Sequence, residues 1–298
     1  MKMSKRDLVA GVLVTVLWGC NFSVIELGLR SLDPYLMTLL RFSFCVIPLV
    51  FFIRRPSGIS FGVLALYGVL FGAGLWWLVN FSMYQGLSPG MSSVFLQFSA
   101  FFTILLSSAV LGERINVAHL CGMAFAACGL MILLSNAESS TLMGVILVLV
   151  AALAWALCNL LVKLKRPSEM MAFIIWSSLF SVPAIFVLTL AVKGWAPFRA
   201  LTKGVAPEAA FSILFQSYIT TILGYWVWNN LMKKYPAAQV APLSLLVPVS
   251  GVVASYVFFG EQMNAFKTIA IVFVLLGLLI FVNAQSLAGF LRTGRRNC

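Results

Sequence analysis

Runs of about 20 mostly apolar residues recur along the chain and limit its possible folds more than any other feature. A helix of about 20 residues crosses a hydrocarbon core of about 30 Å, whereas strands of membrane barrels show alternating segments of about ten residues. Only 9% of the residues are charged and 62% are hydrophobic, while an ordinary soluble domain is about a quarter charged. The sequence therefore predicts an all-α membrane protein with ten transmembrane helices. Their predicted bounds are residues 8–28, 36–53, 61–82, 91–111, 118–134, 142–162, 170–192, 209–231, 239–259 and 267–284.

The net charge of +12 comes from 20 Lys and Arg residues against 8 acidic residues. In a soluble chain such an excess suggests nucleic acid. Here most cations fall in short loops, where they set topology or contact anionic lipid headgroups, so we expect the lipid bilayer as a partner and no nucleic acid. With the N-terminus in the cytoplasm, 14 cations lie inside and 5 outside, which predicts that both termini are cytoplasmic. The inside cations are Lys2, Lys5, Arg6, Arg54, Arg55, Arg114, Lys163, Lys165, Arg166, Lys233, Lys234, Arg292, Arg295 and Arg296.

Two segments of the chain match at a constant offset of 148 residues. They are "VLGERINVAHL" (110–120) and "FFGEQMNAFKT" (258–268), each at the junction of two predicted helices. Earlier in each half, "WGCN" (18–21) matches "WALCN" (155–159) if one residue is inserted. The pairs that align at the constant offset are Gly112 with Gly260, Glu113 with Glu261, Asn116 with Asn264, and Gly129 with Gly277.

The repeat also predicts the topology. Each half holds five predicted helices, which is an odd number, so the second copy enters the membrane from the opposite side. We therefore expect two inverted five-helix repeats, residues 1–137 and 138–298, with the boundary between the fifth and sixth helices. That arrangement is common in secondary transporters, whose substrate site lies near the midplane between the halves.

The repeated Gly-Glu corners have a structural explanation. Gly112 and Gly260 suit helix C-caps, and the asparagines that follow suit the N-caps of the next helices. We expect this structural role first, and a gating role for Glu113 and Glu261 second.

Two charged residues lie within predicted helices, where charge is costly enough to suggest function. Glu26 lies in the last turn of the first helix and Arg41 about six residues into the second, so they could form a structural ion pair. Arg41 is the better ligand candidate, because its planar fork of donors suits a carboxylate. Glu26 is the candidate proton site.

Uncharged amides stand beside aromatic residues in several helices, as in "LWGCNF" and "SVFLQFSAFF". Each amide alone is best explained by a bond to a neighbouring helix, but an aromatic wall with a few amides also suits a pocket for a small polar metabolite. The candidates for this lining are Trp18, Asn21, Arg41, Gln97 and Asn159. An interfacial belt is the simpler explanation for Trp76, Trp77, Trp226 and Trp228.

Two prolines interrupt the ninth predicted helix in "VAPLSLLVPVSG" (240–251). Pro242 falls in the first predicted turn, where a missing donor costs little, but Pro248 lies further in and would free the carbonyl of Ser244. Such a break is tolerated where a polar cavity satisfies the carbonyl. We expect Ser244 and Pro248 to form a kink beside the substrate path, with a purely structural kink as the alternative.

Catalysis, metal binding and cofactor binding find no support in the motifs. His119 is the single histidine, and we find neither a nucleophile with a base nor a phosphate-binding loop. Five cysteines lie in apolar runs without paired spacing, which indicates buried thiols rather than disulfides or a metal site. We expect a protein that is not an enzyme and holds neither a metal nor a cofactor.

Several motifs together resemble the EamA branch of the drug/metabolite transporter superfamily, and within it the bacterial exporters of cysteine and O-acetylserine. They span the chain and include "WGCNF", "SSVFLQFSAFFTILL" (92–106), "LGER", "AWALCN" and "VAPLSLLVPV" (240–249). The resemblance implies a bacterial inner-membrane carrier of two inverted repeats that exports small metabolites by alternating access. Glu26 departs from the basic or neutral residue expected there, which bears on substrate preference and ion coupling.

The sequence leaves several functions open. Export of a small amino-acid-like substrate is the leading hypothesis, and efflux of hydrophobic or aromatic compounds is the alternative within transport. From a different class, a lipid flippase would need a lateral groove, and a scaffold without transport has no reason to keep amides at midplane. Small residues on many helix faces also allow a homodimer.

Overall fold

The computed structural model describes residues 3–112, 115, 117–135, 139–235, 240, 243–244 and 246–282. Among these residues the regular structure is entirely helical, and helix lies in each of the ten predicted intervals. Seven helices are long and apolar enough to cross a membrane, and three shorter apolar helices lie at Val117–Leu133, Leu246–Phe259 and Ala265–Phe281. The protein is therefore an all-α, multi-pass membrane protein, as predicted. The predicted Glu113, Asn116 and Pro242, and the C-terminal cations, lie outside the described residues.

We number the main helices in chain order. They are α1 (Lys5–Leu29), α2 (Pro34–Val46), α3 (Phe61–Tyr84), α4 (Pro89–Phe95 and Phe98–Leu111), α5 (Val117–Leu134), α6 (Ser139–Lys165), α7 (Met170–Lys193), α8 (Pro207–Leu214, Phe215–Leu223 and Gly224–Lys234), α9 (Leu246–Phe259) and α10 (Ala265–Val282). Short helical segments lie at Leu49–Phe51, Ala196–Ala200 and Leu201–Lys203.

Polar caps explain where several helices begin. The Ser4 and Asp33 side chains accept bonds from the backbone N–H groups of Asp7 (3.2 Å) and Tyr35 (2.9 Å). Such a cap satisfies one of the backbone donors that the first helical turn leaves unpaired. In the second half, the Asn264 side chain caps α10 by accepting from the backbone of Lys267 at 2.8 Å, as the repeated motif predicts.

The two corner glycines adopt the left-handed conformation. Gly112 ends α4 with φ +68°, and Gly260 follows α9 with φ +62°. Glycine adopts this conformation without the steric cost that a Cβ brings, so it ends a helix sharply. Both corners therefore have the C-terminal caps expected from the sequence.

Helix bounds in the two halves agree at the same offset as the sequence repeat. The second segment of α4 (Phe98–Leu111) and α9 (Leu246–Phe259) each have 14 residues, and their ends differ by 148 positions. Helices α5 and α10 each have 18 residues and are again 148 positions apart. The segments that match in sequence therefore also match in helix length and position.

A second shared feature is a π-helical segment in the middle of α3 and of α8. It covers Leu70–Trp77 in α3 and Phe215–Leu223 in α8. A π-helix shifts the backbone bonding from i−4 to i−5, and such segments often occur at functional sites. The apolar pattern of the sequence did not predict either segment, because a long run of apolar residues fits α- and π-helix equally.

Helices α5 and α10 pack against each other through glycines. A Cβ added at Gly122 would lie 2.7 Å from the carbonyl oxygen of Gly277, and one added at Gly129 would lie 2.6 Å from that of Ala270. The lower number on α5 meets the higher number on α10, so the two helices run antiparallel. These two helices, which match in the sequence repeat, therefore run in opposite directions where they touch.

Six further helix pairs follow the same exchange. Helix α1 packs on α9 and α6 on α4, α3 packs on α7 and α8 on α2, and α3 packs on α6 and α8 on α1. If each helix is replaced by the helix five positions away in chain order, the first pair of each set becomes the second; for example, α1 with α9 becomes α6 with α4. The pair of α2 with α7, and that of α4 with α9, map onto themselves.

Contacts between helix ends define two ends of the molecule. At one end, which we call the Asp7 end, the Asp7 carboxylate at the start of α1 accepts from Lys234 Nζ (2.6 Å) and Tyr235 Oη (2.5 Å) at the end of α8. At the other, which we call the Glu261 end, the Glu261 carboxylate accepts a hydrogen bond from Ser88, the cap of α4.

Candidate functional site

A narrow cavity of about 40 Å³ lies among six helices drawn from both halves. At this size it holds a few waters or one small chemical group, so we call it the inner chamber. Its wall is mostly aromatic, with amide and hydroxyl groups added. The lining residues are Trp18, Asn21, Phe22, Trp76, Leu96, Gln97, Trp155, Thr220, Tyr225 and Val247.

A wider cavity of about 270 Å³, the vestibule, continues from the inner chamber. The two cavities share Trp18, Gln97, Trp155, Tyr225 and Val247 as lining residues. The vestibule's other lining includes Trp228, Ser244 and Met170, which lie near the end of α8, just before α9 and at the start of α7. The vestibule therefore extends toward the Asp7 end of the molecule.

Gln97 reaches the chamber because α4 is interrupted there. The helix stops at Phe95 and resumes at Phe98, and the backbone N–H groups of Gln97 and Ala100 bond to carbonyls three residues earlier, at 3.2 and 3.0 Å. This tighter pattern is of the 3₁₀ type. The Gln97 side chain is 9% exposed and makes no side-chain hydrogen bond to the described residues, so its amide is free to bond to a guest in the cavity.

Trp18 joins α1 to the π-helical segment of α8. Its indole Nε1 donates to the carbonyl oxygen of Thr220 at 2.8 Å, and its ring lies 5.3 Å from that of Tyr225 and 5.5 Å from that of Trp228. Gly224 permits this approach, since a Cβ there would lie 2.5 Å from the Trp18 Nε1 atom. The π-segment thus supplies both a carbonyl partner and a close surface for the indole.

Asn21 and Asn159 match in the repeat but have different surroundings. Asn21 is 1% exposed and lines the inner chamber, where its Oδ1 accepts from Thr220 Oγ1 at 3.4 Å and its Nδ2 has no partner among the described residues. Asn159 lines the vestibule but not the inner chamber, and its Nδ2 donates to Thr103 Oγ1 at 3.1 Å. The first amide has a donor to offer to a guest, whereas the second already bonds to a neighbouring helix.

Arg41 lies behind the chamber wall rather than in it. Its guanidinium is 1% exposed, and its Nη atoms donate to Gln216 Oε1 (3.0 Å) and Thr221 Oγ1 (3.1 Å). The Cζ atom lies 3.8 Å from the centre of the Trp76 ring, which lines the chamber. Both hydrogen-bond partners are uncharged. Within the described part of the chain, no acidic residue forms an ion pair with Arg41, and Glu26 is among those that do not.

Glu26 is half-buried in the last turns of α1 and is not among the residues that line either cavity. Pro248 is buried and lies in α9, and the described residues before this helix are also helical at Val240 and at residues 243–244. The kink expected at Pro248 therefore stays a prediction. Ser244 lines the vestibule.

The sequence missed Trp76, Trp155 and Tyr225 as wall residues. Trp155 could have been found, because the repeat pairs it with Trp18. For Trp76 the sequence favoured an interfacial belt, yet the side chain is 8% exposed and lines the chamber, whereas its neighbour Trp77 stacks on Phe81 away from it. Only the packing of α3 distinguishes these adjacent indoles.

Small residues pack tightly where α1, α4 and α9 meet, from the level of the chamber toward the Glu261 end. A Cβ at Gly19 would lie 2.4 Å from the Val247 carbonyl oxygen, and one at Gly251 would lie 2.3 Å from Ser93 Oγ. Beyond them, the Glu261 side chain is 6% exposed, accepts from Ser255 Oγ at 2.5 Å and lies 3.5 Å from Lys267 Nζ. Helices α1, α4 and α9 thus form a closed layer on this side of the chamber.

Comparison with known proteins finds matches along nearly the whole chain. The family model described as the EamA-like transporter family matches residues 6–135 and 142–283. A "Probable amino-acid metabolite efflux pump" of Escherichia coli (strain K12) is 34% identical over 292 residues, covering 94% of this chain and 96% of the relative. A protein of the same description from Salmonella typhimurium is 33% identical over 288 residues, covering 94% of this chain and 96% of the relative.

One solved structure, described only as the crystal structure of a protein, has a TM-score of 0.60. It covers 92% of this chain and 97% of its own, at 14% sequence identity. At that identity the likeness concerns the fold alone.

Proposed function

The chain belongs to the EamA-like transporter family, and from this premise we propose that it is a secondary carrier that exports small metabolites, chiefly amino acids or their derivatives, by alternating access. The observation that carries the proposal is the inner chamber, which six helices from both halves line with aromatic rings and amides. A pocket with apolar walls and a few placed polar groups suits a small polar solute.

An inverted repeat, with copies at residues 1–137 and 138–298, accounts for the packing. Equivalent helices α5 and α10 run antiparallel through Gly122 and Gly277, and the helix pairs exchange with one another between the halves. The two segments matched by the family model lie on either side of the proposed boundary. Carriers of this design place their site between the repeats and move one against the other around it.

The cavities suggest which side is open. The vestibule extends from the chamber toward the Asp7 end, whereas small residues close the layer on the Glu261 side. The charge bias of the loops assigns the Asp7 end to the cytoplasm of a bacterial inner membrane. In this state the carrier would receive its substrate from the cytoplasm, which is the loading step of an exporter.

The other half of the cycle requires the Glu261 side to open. Separation of α4 from α9 would break the bond from Ser88, the cap of α4, to the Glu261 carboxylate, whereas the bond from Ser255 lies within the end of α9. The interrupted α4 and the π-segments of α3 and α8 border the chamber, so they are the natural hinges for this movement. Glu261 would thus act as a latch as well as a corner residue.

Efflux of aromatic compounds is a second candidate, and one observation favours it. Trp18, Trp76, Trp155 and Tyr225 together make the chamber wall largely aromatic. An apolar guest could stack on these rings without using the free amide of Gln97. The two functions therefore differ in whether the polar groups of the wall contribute to affinity.

Transport by the purified protein in liposomes tests both candidates. Vesicles are loaded with one solute of a panel that holds aliphatic amino acids, aromatic amino acids and aromatic compounds that lack the amino-acid group. We expect amino acids to leave vesicles that contain the protein faster than vesicles that contain no protein. This difference should be lost in Gln97→Ala. Movement of the aromatic compounds alone would favour the second candidate, and no movement of any solute would reject both.

A further inference from the structure

Three polar groups around the inner chamber have hydrogen atoms without a partner, and all three are donors. The Nδ2 of Asn21, the Nε1 of Trp76 and the Nε of Arg41 are each buried, and none finds an acceptor among the described residues. Buried polar groups in proteins are nearly always hydrogen-bonded, so each exception calls for an explanation. Asn21 and Trp76 belong to the chamber wall itself, from α1 and α3.

The third donor, Arg41 Nε, is part of a positively charged guanidinium group. Arg41 stays protonated in proteins, and its bonded partners Gln216 and Thr221 are neutral. A buried charge is costly unless an opposite charge compensates it, and the described chain places none beside this one. None of the described residues that line the chamber or the vestibule is charged, and Arg41 contacts the wall from behind through the ring of Trp76.

Trp76 connects this charge to the chamber. The guanidinium stacks on the indole ring at 3.8 Å, an arrangement that attracts through the negative face of the ring. A cation on one face withdraws electron density from the ring and strengthens its N–H as a donor. The same contact orients the indole in the wall.

We infer that, given the proposed transport function, the chamber takes the carboxylate of its substrate, with Asn21 Nδ2 and Trp76 Nε1 as donors and Arg41 as the compensating charge behind Trp76. A substrate with a carboxylate supplies an acceptor for the two wall donors and a negative charge opposite Arg41. Arg41 is then a positioning residue, acting through the indole rather than by contact.

This assignment also predicts what is excluded. An amino-acid amide brings only positive charge toward Arg41, and it replaces one acceptor oxygen by an NH2 donor, so its single carbonyl oxygen cannot pair with the two wall donors as a carboxylate can. A site with unpaired buried groups rejects such an analogue strongly. Selectivity between acid and amide therefore reports the carboxylate site, separately from the ability to transport.

The experiment uses the full chain in liposomes, with L-methionine and L-phenylalanine each compared with its own carboxamide. We expect each acid to be bound at least about tenfold more tightly than its amide, the factor typical of losing a hydrogen bond to a charged group. Trp76→Phe keeps the ring on Arg41 and removes the donor, and Arg41→Gln removes the charge. Both should reduce the preference for the acid, and Arg41→Lys should restore part of it.

Trp77→Phe is the matched control. The Trp77 Nε1 is also buried without a partner, but this neighbouring indole stacks on Phe81 and does not line the chamber. Its substitution should leave the preference unchanged. Asn21→Asp supplies an independent variant, because a carboxylate in the wall should repel the acid and accept the amide, which would reverse the preference.

The outcomes separate the two levels of the proposal. If acids and amides are carried equally well, the carboxylate site is wrong while amino-acid transport stands. If Trp77→Phe lowers the preference as much as Trp76→Phe, the effect is not local to the chamber and the assignment fails. If aromatic compounds move and no acid does, the proposed function fails, and the carboxylate site with it.

Discussion

The two copies of the repeat agree in backbone and differ in chemistry. Helices α5 and α10 have equal lengths at the constant offset, and both corners end in a left-handed glycine. The residues at the cavities differ, however: Gln97, which lines the chamber, aligns in the sequence with Leu245, and Asn159 Nδ2 donates to Thr103 while Asn21 Nδ2 has no partner among the described residues. The two matching halves therefore share helices and corners, while their polar side chains at the cavities are used differently.

The largest effect is expected where equivalent helices touch. In Gly277→Ala the new Cβ would lie 2.5 Å from the carbonyl oxygen of Gly122, and backbone atoms cannot move aside as a side chain can. We expect a loss of about 3 kcal/mol in stability, at the upper part of the usual range for overpacking. Thermal unfolding of the purified protein measures it. Gly62→Ala, with nothing within 4 Å of its Cβ, is the control and should be nearly neutral.

A smaller effect is expected at the Glu261 corner. Glu261→Ala removes the acceptor of the Ser88 and Ser255 hydroxyls and should weaken the closed layer by about 2 kcal/mol, the scale of a bond to a charged group. A thiol placed at buried Ser93, in a chain without its native cysteines, should then react faster with a reagent added on the Glu261 side. An unchanged reaction rate would leave Glu261 as a corner residue without a latch function.

Substitutions at Gln97 and at Asn159 should distinguish an effect on transport from an effect on stability. Because the Gln97 side chain has no hydrogen-bond partner among the described residues, Gln97→Ala should slow amino-acid transport about tenfold, or about 1.4 kcal/mol, with unchanged thermal unfolding. Asn159→Ala breaks the bond to Thr103 and should lower the unfolding temperature as well. Equal effects of both variants on stability would remove the proposed distinction between them.

The smallest effect is expected at the exposed rim. Lys193 and Asp33 approach within 4.0 Å at the Glu261 end, with both side chains partly exposed. Such pairs contribute at most about 1 kcal/mol, so Asp33→Asn should change neither transport nor thermal unfolding beyond that limit. Because Asn keeps the N-cap of α2, a larger shift would mean that the charge of Asp33 stabilises this end more than an exposed ion pair does.

Much of the fold could be predicted from apolar periodicity. Helix appears in every predicted interval, because a backbone in lipid must bond to itself and the apolar runs leave no other choice. The family resemblance, which depended on motifs around Gln97 and Pro248, is confirmed by the matches along the chain. The interruption at Leu96–Gln97 and the two π-segments were not predicted, since they depend on contacts between helices rather than on composition.

The sequence by itself determined the class of protein, the approximate helices, the offset of the repeat and most of the amides that border the cavities. Only the tertiary structure decided that Trp76 faces the chamber while Trp77 does not, and that Arg41 lies behind the wall. The physical reason is that apolar and polar character can be read from single residues, whereas the satisfaction of a donor depends on which groups from other helices reach it.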